Sequence, residues 1–414
     1  MSSTRRWSGT VVGALVVLAA CSSTAGGGSP SPGPTTATAS PTTTSTPSPT
    51  STPTTSPTAT ATATATPDRA ERALARLSLA QRVGQLLMVG SSAEHADAAT
   101  RRAVTRYHAG NVMLTGRSAL GVTATARVSR ALQSDAGASA TGGVPLLVAT
   151  DQEGGQVQVL SGPGFSDIPS ALSQGTWASA TLQVRAQQWG EQLRDAGVQV
   201  NLAPVADTVP SSLGRSNAPI GRYSREFGHD PDTVGAHAAA FITGMTTARV
   251  ATAAKHFPGL GRVRGNTDTT SGVTDGTTTR TDPYLQPFRA AISAGTPMVM
   301  MSSAVYSRID PHHPACFSRT VVTDLLRGDL GFDGVVISDD LGQARQVQRW
   351  SAGSRAVQLV AAGGDVVLTV DPDDAPAMYT ALYAKAKSDK AFRAKVDAAA
   401  LRVLRLKAAY GVLR

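Results

Sequence analysis

Eight short apolar runs, each followed by enough chain for a helix and a turn, occupy the sequence after residue 77. They fall at 85–90 (QLLMVG), 111–116 (NVMLTG), 144–151 (VPLLVATD), 198–207 (VQVNLAPVAD), 250–259 (VATAAKHFPG), 298–303 (MVMMSS), 334–340 (GVVISDD) and 365–370 (DVVLTV). Runs this continuous do not alternate a wet face with a dry one, so they predict parallel strands covered on both sides. Helix-length stretches at 182–195, 232–247, 283–294, 320–330 and 352–362 lie between them, and 375–414 reads as mostly helix. Gly110, Gly197, Gly295, Gly331 and Gly364 stand just before strands, where a helix end calls for a left-handed residue. Ser78-Leu79-Ala80-Gln81 has the spacing of a capping box. Eight such units predict an α/β fold closed into a (β/α)8 TIM-type barrel, one domain over 68–414; an open doubly wound sheet is the competing arrangement.

The chain before the barrel is of a different kind. Residues 22–67 are almost entirely Thr, Ser, Pro, Ala and Gly, with no charge and nothing large to bury. They are expected to form a disordered tether. At 1–21, Arg5 and Arg6 precede an apolar stretch, VVGALVVLAA, too short to span a bilayer, which closes on Leu18-Ala19-Ala20-Cys21. This segment resembles a bacterial lipoprotein signal with its lipobox. The resemblance implies cleavage before Cys21, acylation of its thiol and anchoring to the outer face of the bacterial cytoplasmic membrane. An ordinary cleaved signal with an incidental cysteine is the alternative. Cys316 is the only other cysteine, so with Cys21 acylated no disulfide forms within the chain and stability must come from core burial. The net charge of +9 is spread along the sequence without a basic and aromatic block, which argues against nucleic acid as a partner.

In a parallel barrel the carboxyl ends of the strands carry the chemistry. Here those ends are polar: Asp151-Gln152-Glu153-Gly154-Gly155 after the third run, Asp207 after the fourth, and Lys255-His256 in the fifth. Ser302-Ser303 follow the sixth and Ser338-Asp339-Asp340 the seventh. Charged groups are costly to bury unless they bind something, so these ends are expected to converge on one pocket.

Five segments in this order, DQEGG at 151–155, NLAPVAD at 201–207, REFGHDP at 225–231, KHFPGLG at 255–261 and GFDGVVISDDLG at 331–342, carry a resemblance to glycoside hydrolase family 3. The match is to its single-domain β-N-acetylhexosaminidase branch and runs from about residue 77 to 406. It implies a single catalytic domain, expected to be a monomer, that needs no cofactor or metal and cleaves β-glycosides of cell-wall-derived glycans from one end, with retention. It implies that Asp339 is the nucleophile, and that Asp151, Arg225, Lys255 and His256 hold sugar hydroxyls. Other readings of single residues stay open: Asp339 as a cap on the helix after the seventh strand, and His256 as a core histidine steadying its loop. Asp207 is read as orienting Lys255 or Arg225, and Asp340 as a cap.

A retaining mechanism also needs a group that protonates the leaving oxygen and then activates water. In the family branch this is an Asp–His dyad on the loop after KHFPG. Counted from Gly261, Asn266 takes the place of the aspartate and Asp268 that of the histidine, and the loop holds no histidine. Asp268 is the first candidate for the acid, its carboxyl raised by the Asp339 charge and loop closure; Asp275 is the second; loss of the acid is the third. Relatives follow the third-strand motif with arginines, where this chain has Gln156 and Val159, which weakens the expectation of acidic or peptide-bearing substrates. His312-His313-Pro314-Ala315-Cys316 fits no usual zinc spacing and is read as structural. The competing functions are a lipid-anchored glycan-binding protein with a degenerate site, a β-glucosidase, and, for the open sheet, a transporter's sugar-binding protein.

Overall fold

The computed structural model describes residues 68–413; the signal at 1–21 with Cys21, the tract at 22–67 and Arg414 lie outside the described residues. Each apolar run carries one strand, the first reaching two residues past its run: β1 Leu87–Ser92, β2 Asn111–Thr115, β3 Leu147–Thr150, β4 Val200–Asn201, β5 Ala251–Phe257, β6 Met298–Met301, β7 Val335–Ser338 and β8 Val367–Thr369. They pair in parallel in the order β7-β6-β5-β4-β3-β2-β1-β8. A parallel bridge from Ile337 to Val366 joins β7 to β8 and closes the ring, which excludes the open sheet.

Burial on both faces explains why the runs are so continuous. Met88, Met113, Leu147, Ala149, Met300 and Ile337 belong to the cluster filling the barrel. Their neighbours Leu87, Val89, Val112, Leu114, Val148 and Val336 pack outward with the surrounding helices. Side chains alternate with the period of two that a strand imposes, and both sets are apolar.

The expected helices form at Ser179–Asp195, Pro231–Thr247, Gln286–Ser293 and Ala352–Ala362, while Thr320–Asp329 winds as a π-helix. Ser78 makes its capping box, Gln81 N donating to Ser78 Oγ at 3.2 Å and Ser78 N to Gln81 Oε1 at 3.1 Å. The C-terminal stretch is two helices, Ala375–Ser388 and Lys390–Ala409, because Asp389 accepts from Ala391 N and Phe392 N and starts the second one.

Two glycine expectations need correction. Gly197, Gly295 and Gly331 have positive φ, but His108 and Gly363 take that role where Gly110 and Gly364 were expected to. Gly110 and Gly364 serve close packing instead: a Cβ on them would come within 2.8 Å of the Gln85 amide and 2.6 Å of Leu359 Cδ1. At that same amino-terminal end of the barrel Lys407 is fully buried, donating to Gln85 Oε1, Gly110 O and Pro145 O; burial lowers its amine to about 7.

Candidate active site

The carboxyl ends of β3, β5 and β7 surround a cavity of about 370 Å³. Its floor is a charge network. The ladder between β5 and β6 shifts register between Lys255 and Phe257, and the sequence neighbours Lys255 and His256 both reach the cavity wall. Lys255 Nζ lies 2.6 Å from Asp151 Oδ1 and 2.6 Å from Glu153 Oε1. Arg225 grips Glu153 with both forks, Nε to Oε2 at 2.8 Å and Nη2 to Oε1 at 2.7 Å, and its Nη1 donates to Pro219 O at 2.9 Å. Two cations thus meet two carboxylates in nearly dry surroundings, the condition under which such charges can be kept. Burial pushes Glu153 upward, but the charges of Arg225 and Lys255 outweigh it and hold its carboxyl at about 2. Burial lowers Lys255 while the charges of Asp151 and Glu153 raise it, with a net rise. Glu153 sits inside the DQEGG motif yet was given no role from the sequence. Two carboxylates two residues apart, opposite a separate lysine and arginine, are the signal that it offered.

His256 is buried and borders the same cavity. Its Nδ1 meets Asp207 Oδ2 at 2.7 Å, and Asp207 Oδ1 accepts from His256 N at 3.2 Å and Leu260 N at 2.7 Å. Asp207 therefore orients His256, and not Lys255 or Arg225 as expected. The correction has a simple origin: the 255–260 turn folds back onto Asp207 and presents its backbone amides there.

Asp339 follows β7 and lines the cavity, with Oδ1 accepting from Asp340 N at 2.9 Å. The capping belongs to Asp340, whose oxygens accept from Gly342 N, Gln343 N and Val370 N at 2.8, 2.8 and 2.9 Å. Asp339 is left to the cavity.

The third wall is the loop after β5. Asn266, Thr267 and Asp268 all border the cavity. Backbone bonds from Arg345 N to Asp268 O and from Gln346 N to Thr267 O, both 3.0 Å, fix this stretch to the chain after β7. The Gln346 side chain adds bonds to the amide and carbonyl of Val273 at 2.9 and 3.0 Å. The Asp268 carboxyl has no protein hydrogen-bond partner among the described residues, and it stands exposed at the rim. Asp275, the second candidate, lies away from the cavity. Its carboxylate accepts from Thr277 N, Thr278 N and Thr278 Oγ1 at 2.7, 2.8 and 2.7 Å, closing a turn. Ser302 and Ser303 also fail to reach the cavity; both are fully buried, and Ser302 Oγ accepts from Ala304 N. In the His312-His313 segment, His313 Nδ1 pairs with Asp310 at 3.0 Å on an exposed hairpin.

Asp339 and Asp268 are both raised above the ordinary carboxylate range. For Asp339 burial is the main cause and the Asp268 charge adds to it, while His256 and Lys255 pull the other way. For Asp268 the crowding of protein around the rim comes first, with Asp340 and Asp151 raising it and His256 and Arg225 opposing. Asp268 and Asp339 repel one another, so the Asp339 charge expected from the sequence acts within this coupled pair. Two neighbouring carboxyls in this state titrate as a pair and retain a proton to higher pH than isolated ones. Asp339 also pushes up the buried thiol of Cys316, after burial itself.

This arrangement offers a half-buried carboxylate, a rim carboxyl with raised affinity for a proton, and a rigid set of donors and acceptors around a space for about one sugar ring. Comparison with known proteins agrees with it. The model of the glycosyl hydrolase family 3 N terminal domain matches residues 78–406. A β-hexosaminidase of Stenotrophomonas maltophilia (strain K279a) is 36% identical over 245 residues, 55% of this chain and 68% of that protein. The crystal structure of a β-N-acetylhexosaminidase from Beutenbergia cavernae is similar with 56% identity and a TM-score of 0.79, covering 80% of this chain and 99% of that one. A family 3 β-N-acetylglucosaminidase from Paenibacillus sp. superposes with a TM-score of 0.75 at 31% identity, over 81% of this chain and 63% of its own.

Proposed function

The chain belongs to glycosyl hydrolase family 3, and from that premise we propose that it is a retaining, exo-acting β-N-acetylhexosaminidase working through Asp339 and Asp268. The observation that carries this reading is one ring-sized cavity bordered by both carboxyls and by the paired floor.

In the first step an Asp339 oxygen attacks the anomeric carbon while the bond to the leaving oxygen breaks. Asp268 gives its proton to that oxygen, so the leaving group departs as an alcohol. In the second step the Asp268 carboxylate takes a proton from water, whose oxygen attacks the anomeric carbon and frees Asp339. Two inversions give net retention. Asp151, Arg225, Lys255 and His256 hold the ring hydroxyls, with Asp207 fixing the histidine and Glu153 the two cations. Asp268 supplies the acid on its own where the family branch uses an Asp–His dyad, because its surroundings already raise it.

The name borne by the relatives supports an N-acetylated hexosamine as the sugar. Acylation of Cys21, a tethered position outside the cytoplasmic membrane and cell-wall-derived substrates rest on the sequence alone. They complete the proposal: an anchored monomer trimming envelope glycans. A 5-fluoro-sugar trap tests the chemistry. Incubated with the 5-fluoro glycosyl fluoride of N-acetylglucosamine, which keeps the 2-acetamido group, the protein should gain one sugar mass on the peptide containing Asp339. A label on any other carboxylate overturns the assignment.

A further inference from the structure

The sugar pocket occupies the carboxyl end of the barrel, and the opposite end carries a groove of its own. About 730 Å³ in volume, it is bordered by residues that lead into β3, β4 and β5: Val144 before the first, Gln199 before the second and Arg249 before the third. Arg76, the last residue of the helix Arg69–Arg76, lines it with Arg194, Arg249 and Tyr410, and among the described residues no acidic one does.

These arginines are held in place without being neutralised. Arg194 Nη1 donates to Ala248 O at 3.0 Å and Arg249 Nη2 to Ala409 O at 3.3 Å. Each thus spends one nitrogen on the end of a helix and keeps the rest of its fork. The Asp195 carboxylate stands 4.0 Å from Arg194 Nε, and neither Arg76 nor Arg249 has an ion pair among the described residues. Arg249 also sits in the left-handed region, at φ 60°, where glycine would fit without steric cost. The position keeps a charged side chain against its backbone preference. Val144 and Val412 add an apolar strip beside the cations. Guanidinium forks, an amphipathic tyrosine and an apolar strip together suit the headgroup layer of a bilayer; a free phosphate ion would use the forks alone.

The chain enters the barrel at this same end. Arg69 Nη1 donates to Leu413 O at 3.2 Å, and Leu413 lines the groove. An anchor on Cys21 would keep the barrel near a membrane without choosing the face that meets it, since residues 22–67 stand between them. We propose that the groove makes that choice by docking on the phosphates of anionic phospholipids, which turns the catalytic mouth away from the membrane. The inference rests on the anchored reading and adds to it the face that the membrane meets.

The test uses residues 22–414, which keep the closed barrel entire and lack the signal and Cys21. They are mixed with vesicles of phosphatidylcholine alone or with about 30% phosphatidylglycerol. Binding to the anionic vesicles should exceed that to the neutral ones by at least about tenfold and should weaken as salt rises. The variant Arg76→Gln, Arg194→Gln, Arg249→Gln should lose about a hundredfold in affinity for them, each arginine near the surface supplying about fivefold. Its kcat/KM on a soluble aryl β-N-acetylglucosaminide should stay within about twofold of wild type. Removing three arginines outside the groove, by Arg185→Gln, Arg215→Gln, Arg289→Gln, should weaken vesicle binding by no more than about fivefold. Equal binding to both kinds of vesicle, a groove variant that binds like wild type, or equal losses in the two triple variants overturns the proposal. Mass spectrometry of the Cys21 peptide from cells tests the anchor separately. With Cys21 acylated, those vesicle results remove the groove alone; an unmodified Cys21 removes the anchored reading, whatever the vesicles show.

Discussion

The floor and the loop wall border the same cavity but treat charge in opposite ways. On the floor, Asp151, Glu153, Lys255 and Arg225 neutralise one another across β3 and β5 at 2.6 to 2.8 Å. On the wall, Asp268 is held only through its backbone, and its carboxyl has no partner among the described residues. Pairing drives Glu153 down to about 2, whereas Asp268 rises. A group locked in an ion pair keeps its charge and its place, which suits gripping hydroxyls. A group without a partner has a proton to exchange. The contrast separates binding from proton transfer within one pocket.

The largest effect should come from Asp339, which stands outside both regions and needs both. Asp339→Asn should lower turnover of an aryl β-N-acetylglucosaminide by at least about a thousandfold with the fold intact, and a loss below tenfold would place the nucleophile elsewhere. Next comes the wall. Asp268→Asn should slow a substrate with a poor leaving group by about a hundredfold or more, yet an activated aryl substrate far less; equal losses on both would mean that Asp268 does not donate the proton. The same variant should move the acidic limb of the pH profile to lower pH, since removing a neighbouring negative charge lets Asp339 ionise earlier.

The floor answers in stability. Glu153→Gln leaves two buried cations with one carboxylate and should destabilise the fold by about 3 kcal/mol, read by denaturant unfolding. Its pH dependence has a fixed sign. The folded carboxyl sits at about 2 against an ordinary 4.5, so the stabilisation is complete above 4.5 and fades as pH falls toward 2. The variant should flatten that stretch of the acid-unfolding curve. The smallest effect belongs to the loop's support. Gln346→Ala removes two bonds to Val273 and should cost about 1 kcal/mol and a few-fold in kcat. If Gln346→Ala proved as damaging as Glu153→Gln, the loop would be as rigidly built as the floor.

The barrel was legible because strands buried on both faces leave continuous apolar runs, and each of the eight runs carries a barrel strand. Asp151, Glu153 and Lys255 of the floor could also be listed from strand ends, and Arg225 only from the family resemblance, but their pairing could not be read. Asp151 and Lys255 are 104 residues apart and Glu153 and Arg225 are 72 apart, and only the closed sheet brings them together. Hence Glu153 was passed over and Asp207 given the wrong partner. Asp275 was readable and missed: the Asp275-Gly276-Thr277-Thr278 order is that of a side chain closing its own turn. The unpaired state of Asp268 has no counterpart in sequence, because it depends on what the folded loop leaves out of reach.

Azide rescue of Asp268→Ala tests the division between the two regions most directly. With an activated aryl substrate, the glycosyl-enzyme should form and then wait for a base that the variant lacks, so azide, which needs no base, should speed turnover and give the β-glycosyl azide. No acceleration by azide, or formation of the α-glycosyl azide, would contradict the assignment of proton transfer to the loop.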